Sequence, residues 1–302
     1  MKRLIYTVTL NPALDYVMHA DSINGGINRS DYEELFFGGK GINVSCVLTR
    51  LGIANKALGF AAGFTGKQLE KMVRDDGIDC DFVYLDNGCT RINVKIRSGS
   101  ETDFNASGAP IKDGDLDALM GKLDGLKEGD YLVLAGSAPV GSTEKIYEKI
   151  LSRFDSRGVK YVIDASGDLL RGTLKFKPFL IKPNHHELGE LFGTEIKCDD
   201  DAVKYAKELQ KLGAENVLVS QAENGAVLVD ENENVYKSAN AKGTLVNSVG
   251  CGDSMVAGFL AGYIQSESCK LALRLATACA NATAFSPSLA TAEEINKLLI
   301  QE

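Results

Sequence analysis

Short apolar runs alternate with amphipathic stretches through the last two-thirds of the chain. Each amphipathic stretch repeats its apolar residues at three- and four-residue spacing, which is typical of a helix that packs on one face. The apolar runs between them are too short for helices and predict buried strands. Alternation of this kind indicates βαβ units, so we expect an α/β fold with a mostly parallel sheet covered on both faces. The predicted strands are 131–135, 160–164, 179–181 and 216–220, and the helices lie near 113–125, 142–156, 185–192 and 200–212.

The first third of the chain also contains strands that no helix separates. They are predicted at 14–20, 29–37, 90–97 and 101–105. Strands joined without a helix are typical of antiparallel pairing. We therefore predict a small antiparallel β lid, formed by about residues 12–37 and 88–107, on a single domain that spans residues 1–302.

The remaining elements complete this pattern. Further strands are predicted at 4–10, 57–61, 82–85, 225–229 and 234–237. Further helices are predicted from 38–43 to about residue 51 and at 67–76, 252–265, 268–284 and 291–300.

The composition disfavours several classes of protein. Hydrophobic residues make up 44% of the chain, and the formal net charge of −8 without a long basic run argues against a nucleic-acid partner. No apolar run approaches the length of a membrane span. The seven cysteines form no Cys-x-x-Cys pair, so we expect free thiols in a reducing cytoplasm rather than disulfides or a zinc site.

The stretch 247–259 carries the strongest candidate chemistry. Gly250 and Gly252 precede Asp253, and a helical pattern begins at the same point. The free N–H groups of such a first turn, together with the helix dipole, form an anion site. Asp253 then has two interpretations. It is either an ordinary helix-start acid that the dipole keeps ionised, or a base held beside a bound phosphate.

Gly250-Cys251-Gly252-Asp253 resembles the Gly-Ala-Gly-Asp signature of the ribokinase-like sugar kinases, the phosphofructokinase B family. Cys251 replaces the usual Ala, which matters little where backbone N–H groups bind the ligand. The resemblance implies a three-layer ribokinase-like fold. It also implies that Asp253 is the general base for a sugar hydroxyl, and that the N–H groups of 250–253 form the anion hole for the transferred phosphoryl group.

Two stretches near the N-terminus resemble the substrate signature of the same family. They are Asn11-Pro-Ala-Leu-Asp15 and Gly38-Gly-Lys-Gly-Ile-Asn43. On the alternating strand Arg91 and Asn93 share a face, and a guanidinium suits phosphate, although most arginines on strands are simply solvated. The resemblance implies that the substrate is bound by Asp15, Gly39, Lys40, Asn43, Arg91, Asn93 and Ser137.

Lys182-Pro-Asn184-His-His-Glu187 follows another predicted strand. Asn184 is a favourable helix N-cap, which would give this stretch a purely structural role. The family's Asn-x-x-Glu motif implies instead that Asn184 and Glu187 organise Mg²⁺ through water, and that Lys182 reaches the ATP phosphates. Since Mg²⁺ takes few protein ligands, one carboxylate suffices. The resemblance places the nucleotide near Ser220, Gln221, Ala222, Gly225, Ser248 and Asn281.

These similarities occur in family order along nearly the whole chain. The string Thr90-Arg-Ile-Asn-Val-Lys95 resembles the lid hairpin of the branch that phosphorylates fructose 1-phosphate with ATP, which predicts fructose 1,6-bisphosphate as product. A tagatose-6-phosphate kinase is the near alternative. The distant one, a Rossmann oxidoreductase or a non-catalytic nucleotide-binding protein, predicts Gly-x-Gly-x-x-Gly where Leu10-Asn11-Pro12 stands. The resemblance also implies a homodimer formed through the lid.

Overall fold

A nine-stranded sheet lies at the centre of the computed structural model, which describes residues 3–23, 25–143 and 145–301. Neighbouring strands are parallel, except for the last two pairs along the chain, which are antiparallel because short connections without an α-helix join them. The predicted mostly parallel sheet is confirmed. From edge to edge its strands are β13 (Val235–Ser238), β12 (Ala226–Val229), β11 (Asn216–Ser220), β10 (Leu180–Ile181), β9 (Lys160–Asp164), β8 (Tyr131–Ala135), β1 (Ile5–Thr9), β4 (Asn55–Ala62) and β5 (Val83–Leu85).

Helices cover both faces of this sheet, as the strand pattern predicts. Along β8, Leu132 and Leu134 enter one apolar cluster, whereas Tyr131 and Val133 enter another on the opposite face. The first cluster is closed by α3 (Asp113–Leu123), α4 (Ile146–Phe154), α5 (Gly167–Thr173), α6 (His185–Phe192) and α7 (Asp199–Lys211). The second is closed by α1 (Lys40–Arg50), α8 (Cys251–Ser266), α9 (Cys269–Ala284) and α10 (Ala292–Gln301), while α2 (Gly63–Asp75) packs on β4 and α1.

The lid is a separate four-stranded sheet. Its strands, in spatial order, are β3 (Tyr32–Gly38), β2 (Ala13–His19), β6 (Arg91–Ser98) and β7 (Ser100–Phe104). The pairs β2–β3 and β6–β7 are antiparallel, as predicted. The central pair β2–β6 is parallel and sets Asp15 opposite Asn93, which are 78 residues apart in sequence.

The sequence prediction differs from the structure in the central lid pair, which is parallel rather than antiparallel, in the start of α2 at Gly63 rather than residue 67, and in two later helices. It omits α5, whose seven residues are too few to show a clear helical period. It also begins α4 at residue 142, whereas the helix begins at Ile146 because Ser142 and Thr143 are bonded to the backbone of Ile111. Glu144, within the predicted span, lies outside the described residues. Among the helices that are described, none has both the length and the apolar character needed to cross a bilayer.

Candidate active site

Charged side chains gather at one edge of the central sheet. Parallel strands end on the same side, and ligands of open α/β sheets bind beyond those carboxyl ends. Asp164 ends β9, and Lys182 directly follows β10. Helices α1, α6 and α8 begin at the same edge, so their free N–H groups add to the positive charge there.

Asp253 lies in the first turn of α8 and is only 5% exposed. Gly250 precedes the helix with φ of 82°, a left-handed conformation that favours glycine and turns the chain into α8. Asn43 Nδ2 donates to Asp253 Oδ2 at 2.7 Å. A Cβ on Gly252 would lie 3.1 Å from Lys182 Nζ, so the ammonium group sits directly over the glycine turn. The structure therefore brings together the predicted base, the predicted anion hole and the predicted phosphate lysine.

Asp164 is a buried acid that the sequence prediction did not include. Its Oδ1 accepts a hydrogen bond from Lys40 Nζ at 3.1 Å and pairs with Lys182 Nζ at 3.4 Å. Burial opposes its ionisation, but the charges of Lys182 and then Lys40 outweigh burial and lower the pKa of Asp164. An acid at the end of a buried strand is a signal that the sequence did offer.

The environment of Asp253 differs from the helix-dipole expectation. Burial, followed by the negative charge of Asp164, raises the pKa of Asp253 to about 6. The hydrogen bond from Asn43 and the charges of Lys40 and Lys182 oppose this rise without cancelling it. Such a value suits a general base, because the carboxylate is ionised at neutral pH yet holds a proton better than an exposed acid.

Two of the predicted sugar residues, Asp15 and Asn93, meet on the inner face of the lid. Asp15 Oδ1 accepts from Asn93 Nδ2, and Asp15 Oδ2 accepts from Lys95 Nζ, both at 2.8 Å. Lys95 was not among the predicted site residues, although its position two residues after Asn93 places it on the same strand face. Gly39 directly precedes α1, and Ile42 N donates to Thr9 Oγ1 at 3.0 Å, which ties that helix start to β1.

Among the described residues, neither Arg91 nor Ser137 hydrogen-bonds a side chain of the charged cluster. The Arg91 guanidinium donates to the carbonyl oxygens of Asn11 and Ala106 at 3.2 Å each, and burial lowers its pKa. Ser137 is exposed and follows β8 by two residues. A cavity of about 800 Å³ adjoins Arg91, and its lining includes Phe64, Thr90 and Lys112 but neither Asp15 nor Asp253. Among the described residues, no contact joins Arg91 to Asp253 or Lys182, so its phosphate role stays a prediction.

The predicted nucleotide residues occupy two neighbouring structural features. Ser220 ends β11, bridges to Asn184, and leads into the turn that contains Gln221, Ala222 and Gly225. Gln221 Oε1 is buried and has no hydrogen-bond partner among the described residues. On α9, Asn281 Nδ2 is likewise buried without a described partner. Ser248 is exposed, and the two residues before it, Val246 and Asn247, donate their backbone N–H groups to the carbonyl oxygen of Ala284 at the end of α9.

Asn184 and Glu187 form a capping box at the start of α6. Asn184 Oδ1 accepts from Glu187 N at 2.8 Å, and Glu187 Oε2 accepts from Asn184 N at 2.9 Å. The structural interpretation of this pair is thus confirmed, and no described residue bonds the second carboxylate oxygen of Glu187, which leaves it available to a ligand. Within the part of the chain that the structure describes, no three His, Cys, Asp or Glu side chains converge on a metal site.

Residues 9–296 match the model of the pfkB family carbohydrate kinases. The chain belongs to this family. Its relatives within the pfkB family include the 1-phosphofructokinase of Bacillus subtilis (strain 168), which is 48% identical over 98% of this chain and 97% of its own length. The D-tagatose-1-phosphate kinase of Bacillus licheniformis is 34% identical over 99% of this chain and 98% of its own length. The chain is therefore a carbohydrate kinase, and the oxidoreductase alternative is set aside.

Solved structures agree with this assignment. Phosphofructokinase-2 from Escherichia coli, in complex with fructose-6-phosphate, is 28% identical with a TM-score of 0.91, covering 100% of this chain and 99% of its own. A ribokinase from Arabidopsis thaliana, complexed with ribose and ATP, is 20% identical with a TM-score of 0.80 over 99% of both chains. At that identity the ribokinase shows the fold alone, and it confirms the predicted ribokinase-like architecture.

Proposed function

We propose that this pfkB-family enzyme transfers the γ-phosphoryl group of ATP to the 6-hydroxyl of fructose 1-phosphate, giving fructose 1,6-bisphosphate and ADP. The family and the name of the 48% identical relative support this reaction. The observation that carries it is the buried Asp253 carboxylate, held by Asn43 in the first turn of α8 beside the Lys182 ammonium.

In this reaction each group has a defined task. Asp253 accepts the proton of the sugar hydroxyl as its oxygen forms the new O–P bond, while the bond from phosphorus to the ADP oxygen breaks. The N–H groups of 250–253 and the Lys182 ammonium stabilise the negative charge of the phosphoryl group in transit. Because phosphoryl transfer depends chiefly on positioning and charge, a fixed cluster of this kind is sufficient protein machinery.

The sugar phosphate is assigned to the space between the lid and the glycine turn. Asp15, Asn93, Asn43 and the backbone at Gly39 would bind its hydroxyl groups. Arg91 and Lys40 would bind its phosphate, and Ser137 would face the bound sugar phosphate. Lys40 supports this role because its side chain stays 39% exposed while it pairs with Asp164, so the ammonium group still faces solvent.

Glu187 fits a role in holding Mg²⁺. Its carboxylate is fixed by the capping box and keeps an oxygen free. It also lies near the charged cluster, because its charge acts on Lys40. Burial lowers the pKa of Lys40, but the negative charges of Asp164, then Asp253 and then Glu187 outweigh burial and raise that pKa. Glu187, with Asn184 acting through water, would hold the ion, which supplies charge neutralisation for the ATP phosphates when bound.

The nucleotide is assigned to the turn after β11 and to α9. The buried unpartnered atoms of Gln221 and Asn281 are an acceptor and a donor that adenine could satisfy. Ser220, Ala222, Gly225 and Ser248 would complete this surface. Burial of such atoms without partners is costly, which favours a ligand at this position.

One assay tests the proposed reaction. ADP release should be measured with fructose 1-phosphate, tagatose 1-phosphate, tagatose 6-phosphate and fructose 6-phosphate under identical conditions. We expect the highest kcat/KM with fructose 1-phosphate. If kcat/KM is higher with one of the other three, that sugar phosphate is the preferred substrate instead. If no sugar phosphate releases ADP above the sugar-free background, the proposed reaction is contradicted.

The second candidate substrate is tagatose 1-phosphate. The tagatose kinases among the relatives described here are named for the 1-phosphate, whereas the near alternative from the sequence was the 6-phosphate. Tagatose 1-phosphate carries its phosphate at the same end as fructose 1-phosphate and differs only in the configuration at C4. Both would therefore present the same reacting hydroxyl to Asp253.

Replacement of Arg91 tests the site of the substrate phosphate. We expect R91A to raise KM for the sugar phosphate roughly tenfold to a hundredfold, since a hydrogen bond to a charged group contributes about 1.5–3 kcal/mol. KM for ATP should change less than threefold. Steady-state kinetics with each substrate varied in turn would measure both values, and an unchanged sugar KM would remove Arg91 from the site.

Replacement of Glu187 tests the metal assignment. E187Q keeps the capping box, because Gln serves at this position as well as Glu, but removes the negative charge. We expect the Mg²⁺ concentration for half-maximal activity to rise about tenfold, with the melting temperature unchanged. E190Q, on the same helix, is the matched control. Identical Mg²⁺ titrations for E187Q and wild type would reject Glu187 as a ligand.

The outer face of the lid supports the proposed homodimer. Leu35, Tyr16, Val94 and Phe104 form one cross-strand row on the face opposite Asp15, and Leu35, Tyr16 and Phe104 are 39%, 37% and 61% exposed. An exposed apolar row of this kind marks an interaction surface.

The seven free cysteines fit the predicted cytoplasmic location.

Sedimentation analysis tests this dimer. We expect the wild-type enzyme to have twice the chain mass of 32.4 kDa, and the double variant L35E/F104E to have the mass of a single chain. I300E places the same charge on an exposed apolar residue of α10 and should remain dimeric. A monomeric wild type, or a double variant that remains dimeric, would contradict assembly through the lid.

A further inference from the structure

Lys95 is a buried cation that none of the roles above uses. Its side chain is only 10% exposed, and its Nζ donates to Asp15 Oδ2 at 2.8 Å. Asn93 holds the other oxygen, and Asn93 Oδ1 in turn accepts from Ala106 N at 3.3 Å. Each oxygen of the Asp15 carboxylate is thus fixed by one donor from the same strand, β6.

The position of this carboxylate links it to the catalytic base. A Cβ on Gly38 would lie 3.0 Å from Asp15 Oδ2, so the carboxylate rests against the backbone of the glycine turn. The same turn continues into α1, where Asn43 bonds Asp253. Asp15 and Asp253 therefore lie at the two ends of one short segment, 38–43, and a sugar bound along that segment would meet both.

Stability alone is a weak reason for a buried Lys–Asp pair. Removing two charges from water costs free energy that their attraction repays only in part, and an apolar pair would hold two strands as well. A carboxylate, however, offers about four acceptor positions, and Asn93 and Lys95 occupy two of them. The part of the chain that the structure describes gives the remaining positions no donor, so they can accept hydrogen bonds from sugar hydroxyl groups.

We propose that Lys95 is a positioning residue for sugar recognition. Its hydrogen bond locks the Asp15 carboxylate in the orientation that reads the ring hydroxyls of a ketohexose phosphate. This inference rests on the proposed function and names the determinant of its sugar specificity. Since fructose and tagatose differ only at C4, a fixed acceptor distinguishes them, whereas a carboxylate free to rotate accepts from either epimer.

The test compares K95M and K95Q with wild type, using whichever sugar phosphate the wild-type enzyme turns over best. K95M should raise KM for that sugar about tenfold to a hundredfold, with KM for ATP changed less than threefold. K95M should also discriminate less between fructose 1-phosphate and tagatose 1-phosphate, so that the ratio of the two kcat/KM values approaches 1. K95Q keeps an N–H donor, so it should lie between K95M and wild type, and it serves as the folded variant if K95M is unstable.

A double-mutant cycle shows whether Lys95 acts through Asp15. D15N should raise KM for the sugar phosphate on its own. In D15N/K95M this KM should lie within about twofold of the D15N value, because the carboxylate that Lys95 positions is already lost. R97M removes another ion-paired cation two residues further along β6 and should leave the sugar KM unchanged.

Two results would overturn the inference while the proposed function stands. One is a folded K95M or K95Q enzyme with the wild-type sugar KM. The other is a double variant whose effects multiply, which would mean that Lys95 acts independently of Asp15. A wild-type enzyme that phosphorylates none of the four sugar phosphates would instead remove the proposed function, and this inference with it.

Discussion

Asp253→Asn should lower kcat by at least about a hundredfold while leaving the affinity for ATP unchanged. Asn has nearly the shape of Asp and can still accept the hydrogen bond from Asn43, but it cannot take the proton of the sugar hydroxyl. Turnover, ATP affinity and melting temperature measured on the purified variant would test this. D199N makes the same change in the first turn of α7 and should keep full activity.

The pKa of Asp253 adds a pH dependence to this expectation. The folded pKa, raised to about 6, lies above the ordinary value of 3.8, so the ionised carboxylate costs folding free energy, fully so above pH 6. D253N removes that cost, and its melting temperature at pH 7 should be equal to or above that of wild type. Wild-type kcat/KM should fall as pH drops below about 6, because the base becomes protonated.

The opposite pattern would contradict the mechanism. If Asp253 were only a helix-start acid, D253N would weaken the start of α8, lower the melting temperature, and leave turnover intact. Retained turnover in D253N would therefore exclude a general base at this position and the transfer mechanism with it.

Lys182→Met should lower kcat about a hundredfold to a thousandfold, the usual cost of removing one charge-stabilising donor from a transition state. Met preserves most of the side-chain volume in this buried position, which is 4% exposed, and deletes only the cation over Gly252. Since the charge of Lys182 also opposes the raised pKa of Asp253, the acid limb of the pH profile should move to higher pH. Kinetics from pH 5 to 8 would measure both effects.

Two further variants make the result specific. K175M removes a lysine that pairs with Glu148 at the surface, and it should keep kcat within about twofold. K182R keeps a positive charge and should retain more activity than K182M. Because Lys40 still pairs with Asp164, K182M should remain folded. A folded K182M with wild-type kcat would show that this cation does not act on the phosphoryl group.

Much of the architecture was determined by local sequence. The alternation of apolar runs and amphipathic stretches predicted the parallel sheet and its helices. A strand buried on both faces gives a continuous apolar run, and a helix buried on one face repeats its apolar residues every three or four positions. The start of α6 was equally local, since Asn184 and Glu187 cap the helix within four residues. The glycine turn before Asp253 predicted the helix start and the anion site for the same reason.

Only the tertiary structure decided how these pieces act together. The hydrogen bond between Asn43 and Asp253 spans 210 residues, and the parallel pairing of β2 with β6 gives Asp15 its partners Asn93 and Lys95. Asp164 belongs to the charged cluster because two lysines from other elements, Lys40 and Lys182, pair with its carboxylate. Charge and proton affinity depend on burial and on neighbours, and no local pattern specifies either. The sequence therefore determined the fold and the candidate groups, whereas the packing decided which of them share one electrostatic environment.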